Sequence, residues 1–333
     1  MSKLSYSSIN AKLKGMSSYK LDKEDLYELL RQNNLKSAIH VLQSEFYILD
    51  NIEDDAQLVD VEQELDILLI ADIKKIDRLL SGNDKKMFET YILKYKLKCI
   101  KNVLKRLVIK SSMKNTMRNV SLWINEIFTD LNGIKDAKTI DEFMAKLEKN
   151  KYSKIIEEYI KTHEVININE IETKLDIIYY KDLFNIVKKD AKLEKMIGKQ
   201  IDLYNILWIY RLNKYYKLSN EQKQNKIIPI NYKIGKENMN KLISVNNYTD
   251  MKKILSNTIY ESIFVEDETS IERNVYKYLY TLNKRIFNKN AYDISMVFSY
   301  VYLEQTYKDN VINILGGIVY NLEKTRIEEK III

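Results

Sequence analysis

Glycine and proline are scarce in this chain, and their scarcity limits the folds open to it. The 333 residues include seven glycines and one proline. A β-rich or α/β protein of this length needs many more of both, because hairpins, βα turns and phosphate-binding loops depend on them. Long helices joined by short polar turns need few. We therefore predict an all-α fold.

The rest of the composition is that of a folded protein with well-mixed charge. Hydrophobic residues make up 45% and charged residues 30%, and 54 basic against 47 acidic residues give a net charge of +7. This moderate excess suits an acidic protein partner, a position near a membrane or nucleic acid about equally. Charge alone therefore leaves the class of partner open.

No segment has the pattern of a secretory or membrane-spanning sequence. The opening residues, MSKLSYSSINAKLKG, lack the continuous apolar core of a signal peptide. No run approaches the roughly 18–20 apolar residues that span a bilayer. The single cysteine, Cys99, excludes an intramolecular disulfide and a Cys-based structural zinc site. We expect a soluble cytoplasmic protein in which Cys99 is a small buried residue.

Three segments of the chain resemble one another at a spacing of about a hundred residues. They are VEQELDILLIADIKKI from Val61, IETKLDIIYYKDLFNI from Ile171 and IERNVYKYLYTLNKRI from Ile271. Their apolar residues share offsets 0, 4, 7, 8 and 15, which lie on one side of a helix. A shorter element precedes each segment. Its leucine and tyrosine are Leu42 and Tyr47, then Leu147 and Tyr152, then Leu255 and Tyr260. Two elements that recur in the same order predict three similar helical units.

A third element recurs around IDLYNILWIYRLNKYYKLSNEQ, residues 201–222. This helix is apolar almost all round but contains Asp202, Asn205 and Arg211. Asn205 aligns with Asn310 near the C-terminal end, with Cys99 in the second copy and with Ser8 in the first. These counterparts differ too much for shared chemistry. We therefore predict that the polar residues hold neighbouring backbone.

The residues of a catalytic or metal site are missing or dispersed. Neither His40 nor His163 has an H-E-x-x-H or Cys/His partner nearby, and no phosphate-binding loop or G-x-S-x-G motif occurs. We interpret the pair Gly316–Gly317 as a place of close helix packing. The acidic runs 53–55 and 266–268 lack the spacing of a calcium loop. We predict no catalytic residue, no metal site and no cofactor.

Three glutamates recur with the first element, and two interpretations of them remain. Glu62, Glu172 and Glu272 occupy the same position in the three segments. They could form a threefold ion site, or each could be an acid near the start of a helix, which the helix dipole stabilises. Position alone favours the second interpretation.

The main alternative partner is nucleic acid, because the chain is basic and contains 25 tyrosines. However, Tyr47, Tyr152, Tyr179 and Tyr260 fall at positions of the repeat that we expect to be buried. Tyrosine and arginine are not interleaved in one patch. A helical scaffold or nucleic-acid-binding repeat protein therefore stays as the alternative.

Whole-chain features resemble the C subunit of V/A-type rotary ATPases, the counterpart of the d subunit in eukaryotic vacuolar enzymes. The similar segments are YSSINAKLKGMSSYKLDKEDLYELL, then IDLYNILWIYRLNKYYKL with IIPINYKIG, and YDISMVFSYVYLEQTYKDNVINILGGIVYNL. The resemblance implies three similar helical units about a pseudo-threefold axis, in the shape of a funnel. With the repeat, it predicts unit bounds of 1–58 plus 288–333, 59–168 and 169–287.

The resemblance also implies a non-catalytic function. Such proteins are adaptors of the central stalk at the cytoplasmic face of the membrane. They link the shaft, made of the D and F subunits, to the membrane rotor ring and pass torque during ATP-coupled proton or sodium transport. They are peripheral, have no transmembrane segment and bind no cofactor, and no nucleic acid partner is expected.

This chain departs from the family pattern at the third recurring element. An acid three residues before the asparagine is kept as Asp202, but Tyr307 and Lys96 replace it in two other copies. The contact residues of the family are therefore not assigned to positions of this chain. Lys14 and Arg211, which are equivalent when Lys20 is aligned with Lys217, are candidate partner-binding residues. Ordinary surface charges are the alternative for both.

Overall fold

The structure of the chain is a computed structural model. It describes residues 3–18, 21–44, 49–50, 52–53, 55–109, 131, 133–264, 268–289 and 292–333. Within these ranges the regular structure is entirely helical, and no strand occurs. The predicted all-α class is therefore confirmed. None of the described helices is long and apolar enough to cross a membrane.

The helices of the described residues are numbered here in chain order. The first eight are α1 (Lys3–Ser17), α2 (Lys23–Leu30), α3 (Leu35–Ser44), α4 (Leu58–Asp77), α5 (Gly82–Ile109), α6 (Ile140–Lys146), α7 (Lys151–Thr162) and α8 (Ile168–Val187). The others are α9 (Ala191–Tyr215), α10 (Asn220–Gln224), α11 (Lys236–Ser244), α12 (Tyr248–Leu255), α13 (Ile271–Asn288), α14 (Ile294–Val319) and α15 (Lys324–Glu328). Two short 3-10 helices, Glu261–Ile263 and Glu268–Ser270, precede α13.

Side-chain caps explain where many of these helices begin. A helix leaves its first backbone N–H groups without partners inside the helix, and a short polar side chain can accept from them. The capping residues that accept such bonds are Asp22, Thr139, Asn150, Asp190, Ser219, Asn247 and Asp293. The short polar connections expected from the low glycine content therefore also start the helices.

The chain divides into two compact units. Unit 1 contains residues 1–89, 111–136 and 280–333, and unit 2 contains residues 90–110 and 137–279. Three units about an axis, with the bounds given above, and a funnel shape stay predictions.

Helix α14 is the central helix of unit 1. It packs on α4, α2, α3, α1 and α15. Its core positions Val311, Ile314 and Leu315 are fully buried against leucines of α2 and against α4. Apolar burial of this kind is the main stabilising contribution in a helical unit. Because most turns of α14 face other helices, its apolar residues are buried along most of its length.

Unit 2 is built on the antiparallel pair α8 and α9. Helix α7 packs on α8, while α9 also packs on α11, which contacts α10 and α12. The turn with Pro229 and Gly235 joins α10 to α11. Gly235 precedes α11 with φ of 75°, a conformation that glycine adopts without strain.

One glycine in each unit lets another segment approach a helix closely. A Cβ atom at Gly198 of α9 would lie 2.4 Å from the ring of Tyr232, and one at Gly317 of α14 would lie 2.4 Å from the side chain of Ile327. Close packing is thus confirmed at Gly317. At Gly316 a Cβ would meet only Leu58, at 3.7 Å, an ordinary contact distance.

The first recurring element forms α4, α8 and α13, and its main apolar positions are buried. Offsets 0, 4 and 8 are at most 4% exposed in all three helices: Val61, Leu65, Leu69, Ile171, Leu175, Tyr179, Ile271, Val275 and Leu279. Offset 7 is less buried, and Leu68 is 37% exposed. The stripe that is buried in the structure is therefore narrower than the stripe predicted from the sequence. Its central positions are the same in each helix.

The tyrosines of the second element are buried where they are described. Tyr152 donates to Asp182 at 2.6 Å and Tyr260 donates to Asp202 at 2.7 Å. Tyr47 lies outside the described residues, as do Tyr19, Lys20 and most of the acidic run 266–268. A buried phenol whose hydroxyl group bonds to a carboxylate is a structural residue with a satisfied polar end.

Candidate functional site

Asn205, in the middle of α9, forms hydrogen bonds with the backbone on both sides of Pro229. Its side-chain amide donates to the carbonyl oxygen of Ile228 at 2.8 Å, and its oxygen accepts from the N–H of Ile228, also at 2.8 Å. The amide also reaches the carbonyl oxygen of Ile230 at 3.3 Å. Asn205 is fully buried, so these bonds satisfy backbone groups that water cannot reach.

Asp202 holds the next part of the same segment. Its two oxygens accept from the backbone N–H groups of Tyr232, Lys233 and Ile234 at 2.6–2.9 Å. The hydroxyl group of Tyr260 donates to it as well. Burial raises the pKa of Asp202, and the four donors act in the opposite direction. Every oxygen is engaged by the fold, so Asp202 is a structural carboxylate.

Asn310 of α14 makes the same paired bonds in unit 1. Its amide donates to the carbonyl oxygen of Ile332 at 2.8 Å and its oxygen accepts from the N–H of Ile332 at 2.9 Å. The prediction that these recurring polar residues satisfy neighbouring backbone is therefore confirmed at Asn205 and Asn310.

The other two copies of this position differ. Cys99 is buried, and burial raises the pKa of its thiol to about 12, so it is the inert buried residue that we predicted. Ser8 is exposed, whereas Asn10 is buried. The alignment at Ser8 therefore does not reproduce a buried position.

Unit 1 contains a buried ion pair that the sequence analysis missed. Lys308 of α14 pairs with Asp66 of α4, and both side chains are at least 92% buried. Nearby on α14, Tyr300 donates to Asp72 of α4 at 2.9 Å. Lys308 lies two residues before Asn310, but it stands among the polar residues EQTYKDN, so its burial has no distinct signal in the sequence. Such pairs link α14 and α4 at defined positions along their length.

The two predicted partner-binding residues both have contacts inside their own unit. The ammonium group of Lys14 lies 4.0 Å from the centre of the Phe287 ring and 3.4 Å from the side-chain oxygen of Asn288. Partial burial lowers its pKa. Arg211 donates two bonds, of 2.7 and 2.9 Å, to the carboxylate of Glu272. The two residues lie in different units, Lys14 in unit 1 and Arg211 in unit 2.

The ion pair of Arg211 and Glu272 is half exposed, and the guanidinium group donates to both carboxylate oxygens. The hydrogen bonds raise the pKa of Arg211 and lower the pKa of Glu272. Glu272 lies in the first turn of α13, as expected for an acid at a helix start. Glu62 and Glu172 lie one turn further into α4 and α8. No group of three potential metal ligands occurs in the described part of the chain.

The exposed face of α9 is narrow and has a distinct composition. Between Gln200 and Tyr210 only Tyr204 and Trp208 are not buried. With Arg211 and Tyr215 they form a set at offsets 0, 4, 7 and 11, which is one face of a helix. Tyrosine, tryptophan and arginine are the residues that contribute most to protein–protein binding. This face, which we call the α9 face, is a candidate contact surface.

Large apolar side chains are also exposed where the recurring helices end. Ten residues after Cys99, Asn205 and Asn310 stand Ile109, Tyr215 and Tyr320, which are 57%, 65% and 73% exposed. Scattered exposed apolar residues are ordinary on a protein surface. Three at the same position of a recurring helix favour a function in binding other proteins.

Comparison with known proteins agrees with these features. The chain is 21% identical to the C subunit of the A-type ATP synthase of Methanocaldococcus jannaschii, over 98% of this chain and 86% of the relative. It is 24% identical to the protein of the same name from Methanosphaera stadtmanae, over 89% of this chain and 79% of the relative. The profile of the ATP synthase (C/AC39) subunit family matches residues 9–330. The chain therefore belongs to the ATP synthase (C/AC39) subunit family.

Proposed function

We propose that this chain is a non-catalytic adaptor in the central stalk of a V/A-type rotary ATPase. It would link the shaft, made of the D and F subunits, to the membrane rotor ring and transmit torque between them. The family match over residues 9–330 carries this proposal. The resemblance of this chain to the C subunit of V/A-type rotary ATPases supplies the proposed location, a peripheral position at the cytoplasmic face of the membrane.

The chemistry of the buried polar residues agrees with a structural subunit. Asp202, Asn205 and Asn310 each bond to backbone of the same unit. The hydroxyl group of Tyr260 is a further donor to Asp202. These residues hold helices and connecting segments in place, which an adaptor requires. The adaptor function that we propose requires no bound cofactor.

The exposed groups agree with binding to other proteins. The α9 face and the exposed ends of the recurring helices offer aromatic and apolar contact area. Lys14 and Arg211 remain candidates for contacts with the shaft. Arg211 already binds Glu272, so a partner would meet an ion pair at this position.

We further propose that the chain forms three similar helical units, with the bounds predicted from the repeat, about a pseudo-threefold axis that forms a funnel. The common burial of offsets 0, 4 and 8 in α4, α8 and α13 supports this arrangement. Cryo-electron microscopy of the isolated chain tests it. A particle without three related helical groups contradicts it.

Co-purification tests the adaptor function. The tagged chain is purified from its native host in mild detergent, and the associated proteins are identified by mass spectrometry. We expect the shaft subunits, the ring subunit and the subunits of the ATP-hydrolysing head. A preparation that contains none of them contradicts the proposal. The tagged chain with its exposed residues Tyr215 and Tyr320 both replaced by serine provides a matched sample with weakened contacts.

The alternative, a helical scaffold that binds nucleic acid, makes a different prediction. It requires binding to DNA or RNA that weakens steeply with salt, because phosphate contacts release counterions. Tyr152 and Tyr260 are buried, which removes them as stacking platforms for bases. We expect no binding at low salt, and clear salt-dependent binding would favour the alternative.

A further inference from the structure

Unit 2 contains a cavity of about 180 Å³ that opens to solvent between α5, α8, α9 and α13. We call it the aromatic pocket. Five aromatic side chains form most of its wall, together with Leu207: Tyr179, Tyr180, Tyr204, Trp208 and Tyr276. They offer π faces and ring edges to a guest of similar size.

Three of the five rings of the aromatic pocket are held by contacts within the chain. The Tyr179 and Tyr180 rings are 4.9 Å apart at 68°, and the Tyr180 and Tyr204 rings are 5.9 Å apart at 76°. The hydroxyl group of Tyr179 donates to the carbonyl oxygen of Tyr91 at 2.9 Å, and Gln200 donates to the hydroxyl oxygen of Tyr204 at 3.1 Å. A site with ordered rings loses little conformational entropy on binding.

The charges at the aromatic pocket disfavour a cationic guest. The carboxylate of Asp176, on its rim, is already bound by Lys101 at 2.5 Å. Lys94 also lines the pocket and places its ammonium group 4.4 Å from the Tyr91 ring and 5.0 Å from the Tyr95 ring. A second cation would therefore meet a resident positive charge. A neutral ring would instead find aromatic walls at right angles, which suit edge-to-face packing.

The position of the aromatic pocket makes it accessible to another protein. Two of its walls, Tyr204 and Trp208, belong to the α9 face, and the ion pair of Arg211 with Glu272 lies one helical turn further along. Tyr215 ends that face and is 65% exposed. A pocket beside a row of tyrosine, tryptophan and arginine has the composition of the central part of a protein–protein interface.

We propose that the aromatic pocket binds a tyrosine or phenylalanine side chain of a partner protein and anchors that partner on the α9 face. The proposal rests on the proposed function, in which the partner is another subunit of the rotary complex. Such an anchor fills a pocket with one rigid ring and contributes much of the binding energy of an interface.

The pocket can be tested with p-cresol, which has the ring and hydroxyl group of tyrosine. Saturation-transfer NMR on the full chain measures its binding. We expect a saturable Kd on the order of 1 mM, as for other small fragments. Tyr276→Ala should weaken binding about fivefold by removing one wall, while Tyr276→Phe should retain it. Tyr215→Ala, which changes the same face outside the pocket, is the matched control and should leave the Kd unchanged.

Thermal unfolding of each variant shows that the chain remains folded, and Tyr276→Phe keeps the test valid if the alanine variant does not fold. No binding to the wild-type chain, binding displaced by tetramethylammonium, or equal weakening by Tyr276→Phe and Tyr215→Ala would overturn the proposal. The outcome is separate from co-purification. Rotary subunits that co-purify with a chain that does not bind p-cresol would leave the proposed function standing and remove only this inference.

Discussion

Helices α9 and α14 each bind a later segment of their own unit through an asparagine side chain. Asn205 and Asn310 both pair their side-chain amide with the N–H and carbonyl group of an isoleucine 22 or 23 residues later. An amide can do this wherever a segment runs beside a helix, because it needs only one backbone residue in an extended conformation. That modest requirement explains why the same residue type serves both helices.

The position three residues earlier differs between the two helices. In α9, Asp202 accepts from three successive N–H groups and from Tyr260. In α14, Tyr307 stands there and packs against the apolar core of unit 1. A carboxylate is useful only where a turn directs several donors to it. The comparison teaches that the asparagine can be retained while the acid changes with the segment beside it.

The largest expected effect comes from Asp202→Ala. It leaves three N–H groups, of which that of Ile234 is buried, and the buried Tyr260 hydroxyl group without their acceptor. Each buried loss costs about 1–3 kcal/mol before relaxation. We expect unit 2 to lose about 4 kcal/mol of unfolding free energy in urea. The control is Asp190→Ala, which removes only the partly exposed N-terminal cap of the same helix and should cost about 1 kcal/mol. Equal losses for the two variants would contradict our account of Asp202.

The second prediction concerns α14, where a buried ion pair replaces the buried acid. Lys308→Met should lower the unfolding free energy of unit 1 by about 3 kcal/mol, because it leaves the Asp66 carboxylate buried and uncompensated. The double variant Lys308→Met with Asp66→Leu should recover most of this loss, since two apolar side chains replace the pair. A double variant as unstable as the single one would show that the pair contributes more than charge compensation.

The third prediction compares the two asparagines directly. Asn205→Ala should cost about 2 kcal/mol and Asn310→Ala about 1 kcal/mol. The difference is expected because Ile228 is fully buried, whereas Ile332 is only partly buried, so water can replace the bonds at Ile332. Hydrogen exchange at the Ile228 and Ile332 amides measures each site. The comparison fails if exchange at Ile228 is unchanged in Asn205→Ala.

The smallest effect is expected at the ion pair of Arg211 and Glu272. This pair has no counterpart in α14, because Gly316 stands at the position that corresponds to Arg211. The side chains are 38% and 44% exposed, so solvent screening limits the pair to less than about 1 kcal/mol. The pKa of Glu272 is lowered in the folded state. Its stabilising contribution is therefore present above the unfolded pKa of about 4.3 and is lost as the pH falls through the folded pKa.

A double-mutant cycle with Arg211→Gln and Glu272→Gln measures that coupling at pH 7 and again near pH 3. We expect the coupling to be smaller at the lower pH, because protonation of Glu272 removes its charge. A coupling energy that does not change with pH would show that the pair stabilises unit 2 through packing and not through charge.

The all-α class and much of the core followed from the sequence. Scarce glycine and proline predicted the helices, and the apolar offsets of 0, 4, 7, 8 and 15 predicted their buried stripe. The prediction is right at positions such as Leu65, Leu175 and Val275 and wrong at Leu68. Local periodicity is enough for such positions, because the sequence of a helix itself determines which of its faces is apolar and is therefore turned towards the core.

The contacts between distant segments could not be predicted in the same way. Nothing in the sequence links Lys308 to Asp66, or Asp202 to the amides 30–32 residues later, because each bond depends on where two separate elements meet. The aromatic pocket was missed for the same reason. Its rings come from three helices, and none of them alone has a pattern that distinguishes it from a packing residue.

The central claim, that this chain couples the shaft to the membrane ring, is tested most directly in membrane vesicles from a host depleted of the chain. ATP hydrolysis and ATP-driven ion transport are measured together, with and without the purified chain added back. We predict that hydrolysis by the head persists while ion transport is lost, and that the added chain restores transport. Ion transport that is unchanged in the depleted vesicles would contradict the account.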